Sequence, residues 1–259
     1  MMTTSKKLLQ NRKLALVTGA GKRIGREIAL ELASNGYDLA IHCNVSRVDA
    51  DALRAQLQAE GHRAEVFAAD LSNHTAVAAL IPQIAAAMGP LSLLVNCASM
   101  FEFDEMGQLS TEIWQRHMAV NLEAPVFLAQ SFAAQSPIGG SVVNIIDQRV
   151  WKLTPQFFSY TLSKAALWTA TQTMAQALAP RVRVNAVGPG PTLPSVRQQQ
   201  ADFDAQVSMI PLEQAASPRD IAEAVLYLAR AQSVTGQMIA VDGGQHLAWR
   251  TPDVISGAE

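Results

Sequence analysis

Charge is scarce in this chain. Only 16% of its 259 residues are Asp, Glu, Lys or Arg, and 20 basic residues nearly cancel 22 acidic ones. A net charge of −2 provides no basic face for a nucleic-acid backbone or an anionic membrane surface. Cysteine is scarcer still, with Cys43 and Cys97 alone. Two thiols cannot build a disulfide framework, and neither has a CxxC or Cys/His partner suited to a metal. Both are expected to be small buried residues of a reduced, soluble, cytoplasmic protein. Residues 1–13 are polar and lack the apolar core of a signal peptide. Disorder is excluded too, because 49% of the chain is hydrophobic and its net charge is small.

The missing charges leave long neutral stretches. Residues 71–101 and 124–146 contain no Asp, Glu, Lys or Arg, and each is as long as the roughly 20 residues that cross a bilayer. Yet the first holds Asn73, His74, Pro82, Gln83, Gly89-Pro90 and Asn96, and the second is cut by Gln130, Gln135 and Ser136–Gly140. Each therefore reads as a helix, a turn and a buried strand rather than a membrane span.

What fills the chain is alternation. Short apolar runs predict strands at Leu14–Thr18, Asp38–His42, Ala64–Ala69, Leu91–Asn96, Ser141–Ile146, Arg183–Val187 and Gln237–Val241. Continuous apolar runs of this length suit strands buried on both faces. Between them, Ala-rich segments predict helices near 24–35, 47–60, 73–88, 110–134, 156–179 and 217–231. The last starts well, with Ser217 as N-cap and Pro218 in the first turn. Strict β-α alternation implies one doubly wound, parallel, seven-stranded α/β sheet, Rossmann-like, with helices on both faces. The expected organisation is a flexible segment over 1–12 and a single catalytic domain over 13–259. Residues 191–212 lack clear periodicity and are expected to form a mobile lid.

Two spacings carry chemistry. The first strand runs into a turn, Thr18–Gly25, where Gly19, Gly21 and Gly25 allow a tight bend before a helix. A helix N-terminus offers free N–H groups and a positive dipole end to a pyrophosphate. After the second strand no carboxylate stands where an NAD ribose would need one. Asn44, Ser46 and Arg47 could instead hold a 2′-phosphate, which favours NADP(H); Arg47 also fits an exposed residue in a first helical turn. The second spacing is Tyr160 and Lys164, which share a face at i and i+4. A neighbouring cation is expected to lower the Tyr160 pKa and make it a workable proton donor.

With these motifs in place, the sequence resembles the short-chain dehydrogenase/reductase family over about Lys13–Leu247. The matching residues include Thr18–Gly25, Asp70-Leu71, Asn96–Ser99, Asn121, Tyr160/Lys164, Pro189-Gly190 and Val241–Gly244. The resemblance implies cofactor contacts from Gly19, Lys22, Arg23, Ile24, Asn44, Ser46, Asp70, Leu71, Asn96, Ala98, Ser99, Pro189 and Gly190. It also implies that Asn121 holds a relay water, Lys164 binds the nicotinamide ribose and Tyr160 exchanges the proton.

Two departures point to one branch. Arg23 stands where the family turn usually has Gly, and Asp147 replaces the usual Ser 13 residues before the Tyr. Both are similar to the pteridine reductases, including dihydromonapterin and dihydrofolate reductases of short-chain type. That likeness implies an NADPH-dependent reduction of a pterin ring. Phe101 would stack on the substrate, Arg23 and Ser99 would bridge it to the cofactor, and Asp147 with Tyr160 would manage the proton. A homotetramer is implied as well. Two alternatives remain open at this stage: a carbonyl or alcohol oxidoreductase acting on a non-pterin substrate, and an NADP(H)-binding sensor without turnover.

Overall fold

The computed structural model describes residues 13–136, 138–194 and 198–249. Seven parallel strands, β1 (Lys13–Val17), β2 (Tyr37–Cys43), β3 (Ala64–Ala68), β4 (Leu93–Asn96), β5 (Gly140–Ile145), β6 (Val182–Pro189) and β7 (Met238–Val241), form one sheet in the order β3-β2-β1-β4-β5-β6-β7. All seven fall within two residues of where the apolar runs start or end. Val17 pairs with Ile41 on one side and Val95 on the other. The chain thus reverses direction across the sheet between β1 and β4, and the crevice beyond their carboxyl ends is where such sheets bind ligands.

Strand side chains alternate between two layers, as a period of two demands. Ala15, Val17, Leu39, Ile41, Leu93 and Val95 pack with Ile28 and Leu32 of α1 (Arg23–Ser34), Leu53 and Leu57 of α2 (Arg47–Ala59), and Ile221 and Val225 of α8 (Pro218–Arg230). Leu14, Leu16, Ala40 and Leu94 face the opposite layer. There they meet Leu80 and Ile84 of α3 (His74–Met88), Leu128 and Phe132 of α5 (Ala124–Gln135), and Ala175 of α6 (Phe158–Leu178). Full burial of each Leu, Ile or Phe contributes about 1.5–3 kcal/mol. The two layers therefore hold the sheet rigid beneath the crevice.

Capping is as expected at α8. Ser217 Oγ accepts from the Asp220 N–H at 3.1 Å, and the Asp220 carboxylate accepts from the Ser217 N–H at 2.7 Å. Two expectations need correction. The single helix foreseen over 110–134 is α4 (Thr111–Met118) and α5, joined by a π-helical turn, Ala119–Glu123. The region 191–212 is not structureless: it contains α7 (Gln200–Ser208), from which Phe203 is buried. Its far end is tied down, because the Leu212 N–H donates to the Gly243 carbonyl and Ile210 is buried. The apolar residues of α7 are too few to show helical periodicity. Residues 1–12, expected to be flexible, lie outside the described residues, as do Ser195–Arg197 within the expected lid. Among the described residues, no helix is long and apolar enough to cross a membrane.

Candidate active site

The first wall of the crevice is the turn between β1 and α1. Gly19 has φ +67°, and a Cβ there would lie 2.9 Å from Ala98 Cα. At Gly25 a Cβ would come within 2.3 Å of the Gly19 carbonyl oxygen. These glycines are needed for close approach of backbone to backbone. The N-cap of α1, Lys22, makes no side-chain cap, and the first turn has no acidic residue. The N–H groups at that helix start, with the positive end of its dipole, are thus left for an anion. Ile24 packs against the core below. Gly21 abuts Ser46, whose Oγ would be 3.2 Å from an added Cβ, so the β2–α2 turn borders the glycine turn.

Two of the charges near this wall are held by carboxylates of α2. Arg47 is bound to Asp51 on its own helix at 2.8 Å, the arrangement of an exposed first-turn residue, rather than turned toward the glycines. Asn44 is exposed, and Lys22 pairs with Asp49 at 2.9 Å. Arg23 has φ +50°, a left-handed conformation that explains why glycine suits this position elsewhere. Its guanidinium donates to the carbonyls of Leu193 and Pro194, at 3.2 and 3.0 Å, across the mouth of the crevice.

Two side chains brace this wall: Thr18, read from sequence only as the start of the glycine turn, and His42, not singled out at all. The Thr18 hydroxyl accepts from the N–H groups of Cys97 and Ala98, at 2.9 and 3.0 Å, and ties the end of β1 to that of β4. Buried His42 accepts from the Gly19 N–H at Nδ1 (3.1 Å), while its Nε2 lies 3.0 Å from the Ala69 carbonyl. Burial lowers its pKa, in keeping with a neutral ring. Nothing in the local sequence marks these bonds, since the partners lie 23 or more positions away.

The middle of the crevice follows β3, β4 and β6. Asp70 accepts from the N–H and hydroxyl of Ser72, bonds that lower its pKa, while Leu71 is buried. Asn96 turns its side chain away to Asn144 Oδ1, at 2.8 Å, and acts as a buried strut between β4 and β5. Gly190 meets Asp242 so closely that a Cβ would lie 2.6 Å from Asp242 Cα, which fixes the Pro189-Gly190 bend.

The second wall is made of side chains. Asp147, at the end of β5, accepts a hydrogen bond from the Tyr160 hydroxyl at 2.9 Å, and its other oxygen accepts from the Arg149 N–H at 2.8 Å. Lys164 Nζ donates to the Ile145 carbonyl at 2.8 Å and stands 5.8 Å from the Tyr160 ring centroid. Burial raises the Asp147 pKa and lowers that of Lys164 to about 8. The Tyr160 pKa is pushed well up, first by burial and then by Asp147, contrary to the lowering expected from Lys164. The carboxyl is the nearer partner and outweighs the cation. Tyr160 thus holds its proton firmly.

Asn121 lies in the π-helical turn, fully buried. Its Oδ1 accepts from the Met100 N–H and the Ser99 hydroxyl, at 2.8 and 3.2 Å. Its Nδ2 donates to the Met100 carbonyl and Ser163 Oγ, at 2.9 and 3.1 Å. An amide has two donors and about two acceptor sites, so all four are taken by protein groups. The water that the family resemblance implies has no position on this side chain here; instead, the amide fastens the loop after β4. That loop carries Phe101, whose ring stacks on Phe157 at 4.2 Å and meets the Tyr160 ring edge-on at 4.7 Å. Asp147, Tyr160, Phe101 and Ser99 are therefore gathered at one end of the sheet, with Lys164 behind them.

Known proteins resemble this chain in sequence and fold. A family model described as enoyl-(acyl carrier protein) reductase matches residues 19–246. The crystal structure of FolM alternative dihydrofolate reductase 1 from Brucella canis, complexed with NADP, is 52% identical with a TM-score of 0.91, covering 93% of this chain and 97% of that one. A short-chain type dehydrogenase/reductase from Picea abies is 32% identical over 250 residues, 90% of this chain and 92% of that protein. The 3-oxoacyl-(acyl-carrier-protein) reductase FabG of Staphylococcus epidermidis is 30% identical over 242 residues, 91% of this chain and 99% of that protein.

Proposed function

The chain belongs to the short-chain dehydrogenase/reductase family, and from that premise we propose that it is an NADPH-dependent reductase of a dihydropterin such as dihydromonapterin or dihydrofolate. The observation that carries this reading is the Asp147–Tyr160 hydrogen bond beside the Phe101 ring. The 52% identity to FolM, solved with NADP, supports it.

The residues present fit NADPH. The uncapped start of α1 and the glycine cradle suit a pyrophosphate, with Gly19, Lys22, Arg23 and Ile24 around it. Lys22 is the cation we assign to the 2′-phosphate, with Asn44 and Ser46 alongside. Asp70 and Leu71 would border the adenine, Ala98, Ser99, Pro189 and Gly190 the nicotinamide half, and Lys164 the ribose. Asn96 would support this wall from behind.

Bound NADPH supplies the hydride. Reduction of a C=N bond also places one proton on nitrogen, and Tyr160 donates it to the ring nitrogen. Asp147, which accepts from the Tyr160 hydroxyl and whose pKa burial raises, is the group through which the Tyr160 oxygen regains a proton drawn from solvent. Phe101 covers the ring, Ser99 and Arg23 orient it, and Asn121 holds the loop in place. Arg23 would then exchange its bonds to Leu193 and Pro194 for bonds to ligand. The active unit is read as a cytoplasmic homotetramer of single catalytic domains spanning 13–259. Exposed Phe127 on α5 and Leu162 on α6 support assembly through those helices.

Single-turnover oxidation of NADPH with 7,8-dihydropterins tests this function. Turnover is expected, and Asp147→Ser should lower it sharply. Oxidation only with 3-oxoacyl or other carbonyl substrates would transfer the chain to the FabG-like reading. Tight NADPH binding without consumption by any substrate would make it a sensor.

A further inference from the structure

Behind Tyr160 lies a second set of buried polar side chains that the proton transfer does not use. Asp104, His117 and Ser159 are 2%, 0% and 0% exposed. They come from three places: the loop after β4, helix α4 and the first turn of α6. Ser159 Oγ donates to Asp104 Oδ2 and lies 2.6 Å from His117 Nδ1. On the far side of the imidazole, the Glu102 N–H donates to Nε2 at 3.1 Å. Both Asp104 oxygens also accept from the Ser159 N–H at 3.2 Å, and the Phe158 N–H donates to the Asp104 carbonyl at 3.2 Å.

These contacts determine where each proton sits. A ring nitrogen that accepts from a backbone N–H carries no proton, so a neutral His117 bears its proton on Nδ1. That N–H donates to Ser159 Oγ, which leaves the Ser159 proton for the carboxylate. Every donor has an acceptor, and no two donors face each other. Burial favours the neutral ring, Asp104 and Glu102 oppose it, and Arg116 and Lys164 reinforce it. A second proton on the ring would set Nε2–H against the Glu102 N–H.

The network joins the two parts of the second wall. Glu102 and Asp104 flank the segment just after Phe101, and Ser159 immediately precedes Tyr160 in α6. The His117 ring itself stands edge-on to Tyr160 at 6.0 Å. We propose that Asp104, Ser159 and His117 are positioning residues that hold Phe101 and Tyr160 in register and so set the slot in which the substrate ring is reduced. The identity of that ring rests on the dihydropterin reading, whereas the register does not.

Two experiments test it on the full chain. In the first, nitrogen-15 NMR of histidine-labelled protein at neutral pH should give a protonated Nδ1 and an unprotonated Nε2 for the signal that disappears in His117→Phe. The opposite tautomer, or a cationic ring, would overturn the network whatever the substrate. In the second, Ser159→Ala and Asp104→Ala should each raise KM for the dihydropterin and lower kcat by about tenfold in kcat/KM or more, the order of one lost buried hydrogen bond. NADPH affinity should stay within about twofold, and Asp104→Asn, which keeps an acceptor, should recover most of the loss. Unchanged kinetics, or a parallel loss of NADPH binding, would overturn the proposal. If Ser159→Ala does not fold, the Asp104 pair and the NMR signal decide. Should the wild type reduce no dihydropterin, that reading fails by itself; the tautomer still judges the network, with the same variants compared on the carbonyl substrate that is reduced.

Discussion

The two walls of the crevice are made of different material. The wall we assign to the cofactor is backbone: Gly19 against Ala98, Gly25 against the Gly19 carbonyl, and the open N–H groups of α1. The wall we assign to the substrate is side chain: Tyr160 on Asp147, Asn121 on Met100, and Phe101 on Phe157. A backbone wall is sensitive to added volume and, apart from a cation such as Lys22 that we assign to the 2′-phosphate, nearly indifferent to the exposed side chains around it. A side-chain wall responds to the loss of single atoms that carry protons. Binding and chemistry should therefore separate cleanly under mutation.

The sharpest break is Tyr160→Phe. Removing one hydroxyl should lower kcat by about a thousandfold, within the range for a lost general acid, while NADPH titration by fluorescence changes little. Gly25→Ala should do the reverse. Overpacking of about 1–3 kcal/mol at a 2.3 Å approach should weaken NADPH binding by up to about a hundredfold and lower the melting temperature. Any residual bound fraction should still react.

Asp147→Asn falls next, with a drop in kcat of about thirtyfold, and its pH profile carries the diagnosis. Because burial raises the carboxyl pKa, the protonated form persists to higher pH than in an ordinary aspartate. Wild-type kcat should therefore fall as pH rises through an apparent value above the usual carboxylate range, a property of the Asp147–Tyr160 pair. That limb should be missing in the Asn variant. The smallest effect belongs to Arg47→Ala, which breaks only an exposed pair with Asp51. The ratio of NADPH to NADH turnover should move by less than about twofold, whereas Lys22→Ala should shift it toward NADH.

The same contrast explains what could be read from the sequence. Strands buried on both faces announce themselves as Val- and Leu-rich runs, so β1–β7 and their alternation with helices were legible. The glycine turn was legible because its constraint is local: Gly19, Gly21 and Gly25 are consecutive features of one bend. Tyr160 and Lys164 were visible through helical spacing, and Asp147 through a departure from a family pattern. The side-chain wall was much less visible. His117 meets Ser159 across 42 positions and Asp104 meets it across 55, distances at which no periodicity operates. The rise of the Tyr160 pKa was missed for the same reason, since spacing exposed the cation at i+4 but neither the burial of the phenol nor the carboxyl packed against it. Helix α7 was hidden by its sparse apolar positions, and of the two readings open for Arg47 its pair with Asp51 fits the exposed first-turn residue.

The π-helical turn at Ala119–Glu123 has a consequence for how this protein tolerates changes in length. Such a turn accommodates one residue more than an α-helix would over the same span. Deleting a residue there would let α4 run straight into α5 and preserve the hydrogen-bond ladder, so the chain could still fold. Because the wide turn alone absorbs the extra residue, α4 and α5 would stay in phase, and His117 and Leu128 could still face their partners. Asn121, which sits in the turn itself, would lose its hold on the Met100 loop. Shortening by one residue at this place would free that loop without removing the helix, which makes the bulge a point where chain length itself is constrained.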